Sequence, residues 1–179
     1  MILFHGTSLE NGEQIIKDGK IKCQIKRVHE GYKNIIPGTT DGYVYLTQNF
    51  YTAYYYGNIQ LIGLEDMSKQ YVYIFKIEID DNSSLFEPDL DELQTLNITY
   101  SNNITWEESL EKCGCLRIKQ DIITKGLEYI KLPGTMNDCE GETLMEICQD
   151  MSKMQKHMEK EDEEFKKVIA PYLKWYKII

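Results

Sequence analysis

Arginine is nearly missing from this chain: Arg27 and Arg117 are the only two. Twenty Lys and Arg face 29 Asp and Glu, a formal net charge of -9. That balance argues against a DNA-binding module driven by electrostatics, which carries a basic face. It leaves room for an enzyme that meets a nucleic acid through a small local basic patch. Four prolines and 12 glycines are too few for a long flexible linker. No apolar run approaches the roughly 20 residues that cross a bilayer. The opening Met1-Ile2-Leu3-Phe4-His5 has neither the basic start nor the long apolar core of a secretory leader. The expectation is a cytoplasmic protein with no membrane partner. Cysteine is sparse and odd in number, five, so complete internal pairing is excluded. Cys113 and Cys115 flank one glycine, a poor spacing for a zinc knuckle, while Cys23, Cys139 and Cys148 stand alone. With His5, His29 and His157 as the only histidines, no metal is expected, and reduced, mostly buried thiols are.

What is present is an ordinary globular balance: 42% apolar and 27% charged residues over 179 positions, enough to bury a core without staples. Phenylalanine is scarce at 5, yet tyrosine reaches 13. Rings with a polar tip suit a cleft that stacks flat ligands, and they suit half-buried strands equally. Ile2 to His5 reads as a buried strand. Ser8 offers a cap to a helix carrying Leu9, Ile15 and Ile16 on one face and ending at Gly19. Residues 20 to 40 read as a long polar loop broken at Pro37-Gly38. Gly42 to Thr47 reads as a strand, followed by a short helix from Phe50 to Tyr56, capped by Asn49 and closed by Gly57. Tyr71 to Ile79 is the clearest strand, and a polar stretch through Ser84, Pro88 and Asp89 follows. Trp106 to Lys112 reads as a helix, and Leu116 to Ile123 and Leu127 to Ile130 as strands. Helical spacing returns from Thr143 to Pro171, with Cys148, Met151, Met154 and Met158 forming a stripe. The division expected is a domain over 1–140 and a helical extension over 141–179, packed on it.

Three segments can carry chemistry. His5-Gly6-Thr7 ends the first strand: an imidazole that donates or accepts, a glycine that lets a flat ligand near the backbone, and a hydroxyl. A satisfied turn explains the same residues. Tyr45 and Tyr56 can close on a planar group from two sides, worth roughly 0.5–1.5 kcal/mol per aromatic pair, or can plug a helix–strand interface. Glu128 sits in Leu127-Glu128-Tyr129-Ile130, where a carboxylate is unexpected unless it faces a cleft or a partner. An exposed edge glutamate is the alternative.

Taken in order, these segments resemble the ADP-ribosyltransferase superfamily, in the His-Tyr-Glu branch that includes the poly(ADP-ribose) polymerases. His5-Gly6-Thr7 matches that branch's His-Gly-Ser, and Ile15 to Gly19 its Ile-x-x-x-Gly. Tyr45-Leu46-Thr47 and Thr52 to Tyr56 match its Tyr-Phe-Ala strand and Ser-Ala-x-Tyr helix. Glu128-Tyr129-Ile130-Lys131 matches its closing Glu-Tyr-Ile-Val strand. The likeness spans about residues 2–131, with Thr7 and Thr47 as departures, and nothing matches beyond Thr135. It implies an α+β split β-sandwich with flanking helices, here with a long C-terminal helix. It implies an enzyme that cleaves NAD at the nicotinamide–ribose bond and transfers one ADP-ribose to a protein or nucleic acid. Toxins and phage or host-conflict factors are among the small members. In that reading Glu128, His5 and Tyr45 are catalytic. Gly6, Thr7, Tyr45, Tyr56 and His5 hold NAD, and Arg27 with Lys26 meets the pyrophosphate. No metal is needed, and NAD is a co-substrate.

Alternatives stay open. Glu140-Gly141-Glu142 imitates the paired glutamates of the superfamily's toxin branch, which opens its site with arginine instead of histidine. Water in place of an acceptor would make a glycohydrolase. An NAD-consuming RNA 2′-phosphotransferase has a related fold but needs several arginines. A catalytically silent module would bind only a nucleotide or a partner. The methionine stripe reads as core, or as a contact for a regulator or a second copy.

Overall fold

A computed structural model describes residues 1–24, 39–81, 84–134, 163, 165–167, 169–170 and 173–179. Arg27, Lys26, Glu140, Glu142 and the methionine stripe lie outside the described residues, as does most of the C-terminal extension. The chain opens with β1 (Ile2–Ser8), whose Ser8 leads into α1 (Leu9–Asp18) without a side-chain cap bond. Gly19 closes α1 at φ 69°, the left-handed conformation that a side chain resists. Next come β2 (Lys20–Ile21), β3 (Val44–Thr47) and α2 (Phe50–Ile59). Asn49 caps α2 by accepting from Thr52 N at 2.8 Å and Thr52 Oγ1 at 2.9 Å.

The polar stretch after β4 (Tyr71–Glu78) is more ordered than its composition implies. It holds β5 (Phe86–Pro88) and α3 (Leu90–Thr95), the latter capped by Asp89, whose Oδ1 accepts from Glu92 N at 3.0 Å. The capping box of Thr105 and Glu108 then starts α4 (Trp106–Cys113). The expected single strand from Leu116 to Ile123 is two, β6 (Cys115–Ile118) and β7 (Ile122–Ile123), in different sheets. The last strands are β8 (Glu128–Pro133) and β9 (Tyr176–Lys177).

The fold is mixed α and β with an antiparallel sheet. Seven strands pair in the order β5-β6-β3-β1-β4-β8-β9, and β2 with β7 forms a second, two-stranded sheet. Among the described residues every pairing is antiparallel. β1 joins both halves of the large sheet. It does so unequally. β1 and β4 are in register along seven pairs from Ile2↔Glu78 to Ser8↔Val72, whereas β1 and β3 share the one pair Phe4↔Thr47.

Each face of the large sheet buries its own core. Leu3, Val44, Leu46, Phe75, Ile77, Leu116 and Ile118 belong to one, with Ile15 of α1 against it. Phe50, Tyr54, Val72, Ile74, Ile130 and Phe165 belong to the other, under α2. Two glycines bring α2 down onto the sheet. A Cβ at Gly6 would stand 1.7 Å from Ala53 O, and one at Gly57 would stand 2.3 Å from Val72 Cγ1. Gly57 therefore sits inside α2 instead of closing it, and the helix runs on to Ile59. Tyr54, not singled out above, plugs the helix–strand interface, its hydroxyl donating to Pro133 O at 2.7 Å.

Candidate functional site

The separation of β1 from β3 beyond their one shared pair opens a cavity of about 520 Å³. Five of the residues singled out above line it: His5, Gly6 and Thr7 from β1, Tyr45 from β3 and Tyr56 from α2. His5 spans the gap, its Nδ1 lying 3.0 Å from Tyr45 O. A carbonyl only accepts, so Nδ1 donates this hydrogen bond. Thr7 Oγ1, Ser8 N and Asn11 Nδ2 all donate to Gln60 Oε1, at 3.1, 3.2 and 3.1 Å. That one amide oxygen ties the end of β1 and the start of α1 to the end of α2.

Gly6 has a role that the sequence does not disclose. Its missing side chain makes room for the Ala53 carbonyl of α2, so the glycine serves the helix–strand contact directly. Thr47 is buried and donates to Gly114 O at 2.9 Å.

Both candidate tyrosines end on α3. Tyr45 is hydrogen-bonded to Asp91 Oδ2, with Thr40 O 2.8 Å from the same hydroxyl. Tyr56 donates to Glu92 Oε2. Asp89, Asp91 and Glu92 all line the cavity, and Asp89 and Glu92 are buried. Sequence reasoning missed all three, having read this stretch as a polar connection. The available signal was Asp89-x-x-Glu92, a helix-capping pattern, placed after Pro88.

The electrostatics follow from that burial. Loss of water pushes the Asp89 carboxyl up to about 7, with neighbouring Glu92 and Asp91 reinforcing the shift. Burial pushes Asp91 the same way, but hydrogen bonds from Thr40 and Tyr45, with Arg117 nearby, hold it below its ordinary value. Burial also drives the Tyr56 phenol well up, and the Glu92 carboxylate beside it adds to this, so Tyr56 stays a proton donor.

Arg117 stands behind Asp91. It is buried, its guanidinium lies 4.0 Å over the Tyr43 ring, and it reaches Asp91 at 3.8 Å and Glu87 at 3.9 Å. Among the described residues its Nε has no hydrogen-bond partner.

Glu128 does not join this group. It pairs in register with Lys76, which pairs with Phe4, so the three share one sheet face. His5 and Phe75 lie in the next row and project to the opposite face. One strand, β4, also separates β8 from β1, two strand spacings or roughly 10 Å. Glu128 is half-exposed and binds Lys76 Nζ at 2.9 Å. The carboxylate in the apolar strand thus has a partner, the half-buried Lys76.

Compared with known proteins, the chain matches no family model and no curated sequence. The site therefore has to be read from its own chemistry. Among the described residues no three His, Cys, Asp or Glu side chains are grouped to hold a metal ion, and no helix is long and apolar enough to cross a membrane. Cys113 and Cys115 are both buried, and Cys113 Sγ donates to Ser109 O at 3.1 Å. What remains around one cavity is an imidazole, three phenols (Tyr43, Tyr45, Tyr56), four carboxylates (Asp18, Asp89, Asp91, Glu92) and the ammonium groups of Lys20 and Lys22, a set suited to binding a polar ring system that carries charged groups.

Proposed function

We propose that the cavity binds NAD, breaks its nicotinamide–ribose bond and passes ADP-ribose to an acceptor nucleophile. The observation that carries this reading is the convergence of His5-Gly6-Thr7, Tyr45 and Tyr56 on one cavity of about 520 Å³, a volume ordinary for a small-molecule site. They carry the His and Tyr parts of the resemblance to the His-Tyr-Glu transferases, without the Glu128 strand, and they meet where the sheet divides between β1 and β3. The proposed fold is accordingly the split sandwich of that superfamily.

Roles follow from chemistry. Tyr56 and Tyr45 flank the nicotinamide, while Thr7 and the Nε2 side of His5 meet ribose hydroxyls. The carboxylate that the resemblance assigns to Glu128 is supplied here by Glu92, which lies in the cavity lining with its orientation set by Tyr56. As the C1′–N bond breaks, its electron pair leaves with nicotinamide and neutralises the pyridinium ring. The ribose left behind develops oxocarbenium character, which an adjacent carboxylate stabilises. The acceptor's lone pair then closes on C1′, and its proton passes to the carboxylate or to solvent.

The test is release of nicotinamide from labelled NAD, with tritiated or fluorescent ADP-ribose followed into candidate acceptors. Wild-type protein is expected to release nicotinamide, Glu92→Gln to lose about 10²-fold or more in rate while still binding NAD, and Glu128→Gln to keep the wild-type rate. Binding of NAD without any release would leave only a nucleotide-binding module and end the enzymatic reading. Release lost with Glu128→Gln and kept with Glu92→Gln would return the carboxylate role to β8.

A further inference from the structure

A second groove lies beside the cavity. Helix α1, whose Asn11 and Gln14 line the cavity, packs Gly12 against the ring of Tyr73; a Cβ there would come within 2.4 Å of it. Tyr73 also lines a groove of about 370 Å³ together with Tyr71, Tyr129 and Tyr176 and with Lys131 and Lys174.

Register puts these groups together. Tyr73 pairs with Lys131 and Tyr129 with Tyr176 across antiparallel strands, and such partners project from the same face. Tyr73 and Tyr129 stack with centroids 5.4 Å apart and planes at 15°. Tyr129 and Tyr176 stack at 5.5 Å and 25°. The row of rings therefore runs from β4 outward to β9, the last strand of the sheet. It ends on Tyr176, 41% exposed. Lys131 Nζ lies 4.1 Å from the Tyr71 ring centroid and Lys174 Nζ 5.1 Å from that of Tyr176, and both lysines are exposed.

Charge selects what such a groove takes. In a chain with nine more acidic than basic residues, no carboxylate is in the groove's lining among the described residues. Glu13 of α1 acts on Tyr73, the buried end of the row, while Glu128 of β8 projects from the other face. A stack of flat rings that ends in solvent beside two ammonium groups fits a ligand with planar faces joined by anionic links.

We propose that this groove binds single-stranded nucleic acid, with a base continuing the stack on Tyr176 and flanking phosphates at Lys174 and Lys131. Stacking plus a cationic track is how single strands are held without sequence preference. A duplex offers no free base face. The inference does not rest on the NAD reading, although it names an acceptor class for it.

The experiment is fluorescence anisotropy of the full chain with fluorescein-labelled dT12, with thermal unfolding to check each variant. Wild-type protein is expected to bind in the micromolar range at moderate salt. Affinity should fall about 7-fold between 50 and 200 mM salt, the slope of about -1.4 that two phosphate contacts produce on a single strand. Tyr176→Ala should weaken binding at least about 5-fold, Tyr176→Phe should restore it, and Lys131→Glu with Lys174→Glu should cost at least about 10-fold. The proposal is overturned by no binding at about 100 µM protein. Binding that the Tyr176→Ala and double-lysine variants leave intact, or equal affinity for a duplex of the same length, also overturns it. So does displacement by poly-glutamate as effective as by unlabelled dT12, which would make the groove a site for acidic protein.

Discussion

Burial of Asp89 is expected to make the stability of this protein fall as the pH rises from about 4 to about 7. The group is buried, its Oδ1 accepts from the Glu92 amide at 3.0 Å, and Glu92 and Asp91 crowd it with like charge. Its carboxyl is pushed from an ordinary 3.8 up to about 7. Between those two values the folded chain holds a proton that the unfolded chain has released. The contribution of Asp89 to folding is therefore full below about pH 4, weakens across the window and levels off above about 7. A shift of about 3 pH units corresponds to on the order of 4 kcal/mol across the window, at about 1.4 kcal/mol per unit. Asp89→Asn keeps the oxygen that caps α3 and removes the titration. The measurement is the free energy of urea unfolding of both proteins from pH 4.5 to 8. Asp121, held down at about 2 by its bond to Lys20 and by the Cys23 amide, contributes stability that is lost only as the pH falls through about 2. It does not interfere. The variant is expected to be nearly flat where the wild type declines, so that the two diverge by a few kcal/mol at pH 8. Parallel curves for the two proteins would refute the reasoning.

Two further outcomes test the packing around the cavity. Gly6→Ala drives a methyl group into Ala53 O, a backbone atom 1.7 Å away, and should cost at least ~3 kcal/mol in chemical unfolding. Asn49→Ala removes the acceptor for Thr52 N and Thr52 Oγ1 and should cost about 1–2 kcal/mol, a drop of several degrees in the melting temperature followed by circular dichroism.

The elements legible in the sequence were those with strong local signals. The branched and aromatic run of β4, the Gly19 stop of α1 and the Asn49 start of α2 could all be read directly. Gly57 misled because a helical glycine packed under Val72 and a terminating glycine look alike in one dimension. β5 and α3 stayed hidden because three- and six-residue elements have too little periodicity to register. That omission mattered most, since α3 brings Asp91 and Glu92 to the two phenols. His5, Gly6, Thr7, Tyr45 and Tyr56 were found as motif residues and share one cavity. Glu128 shows the limit of order and spacing: a shift of one residue along a strand changes the face, and no linear pattern reports which face β8 turns toward β1.

The meagre joint between β1 and β3 has a mechanical meaning. Within the backbone ladder, half of the large sheet, β5-β6-β3, joins the other half at one register pair and at the imidazole contact, while the core of Leu3, Phe75, Val44, Leu46 and Leu116 spans both halves. Prying those two blocks apart would break far less of the ladder than a separation anywhere along the β1–β4 seam, where seven pairs hold. The backbone ladder is thus thinnest along the wall of the cavity, and there a side chain, His5, supplies a hydrogen bond between the two strands.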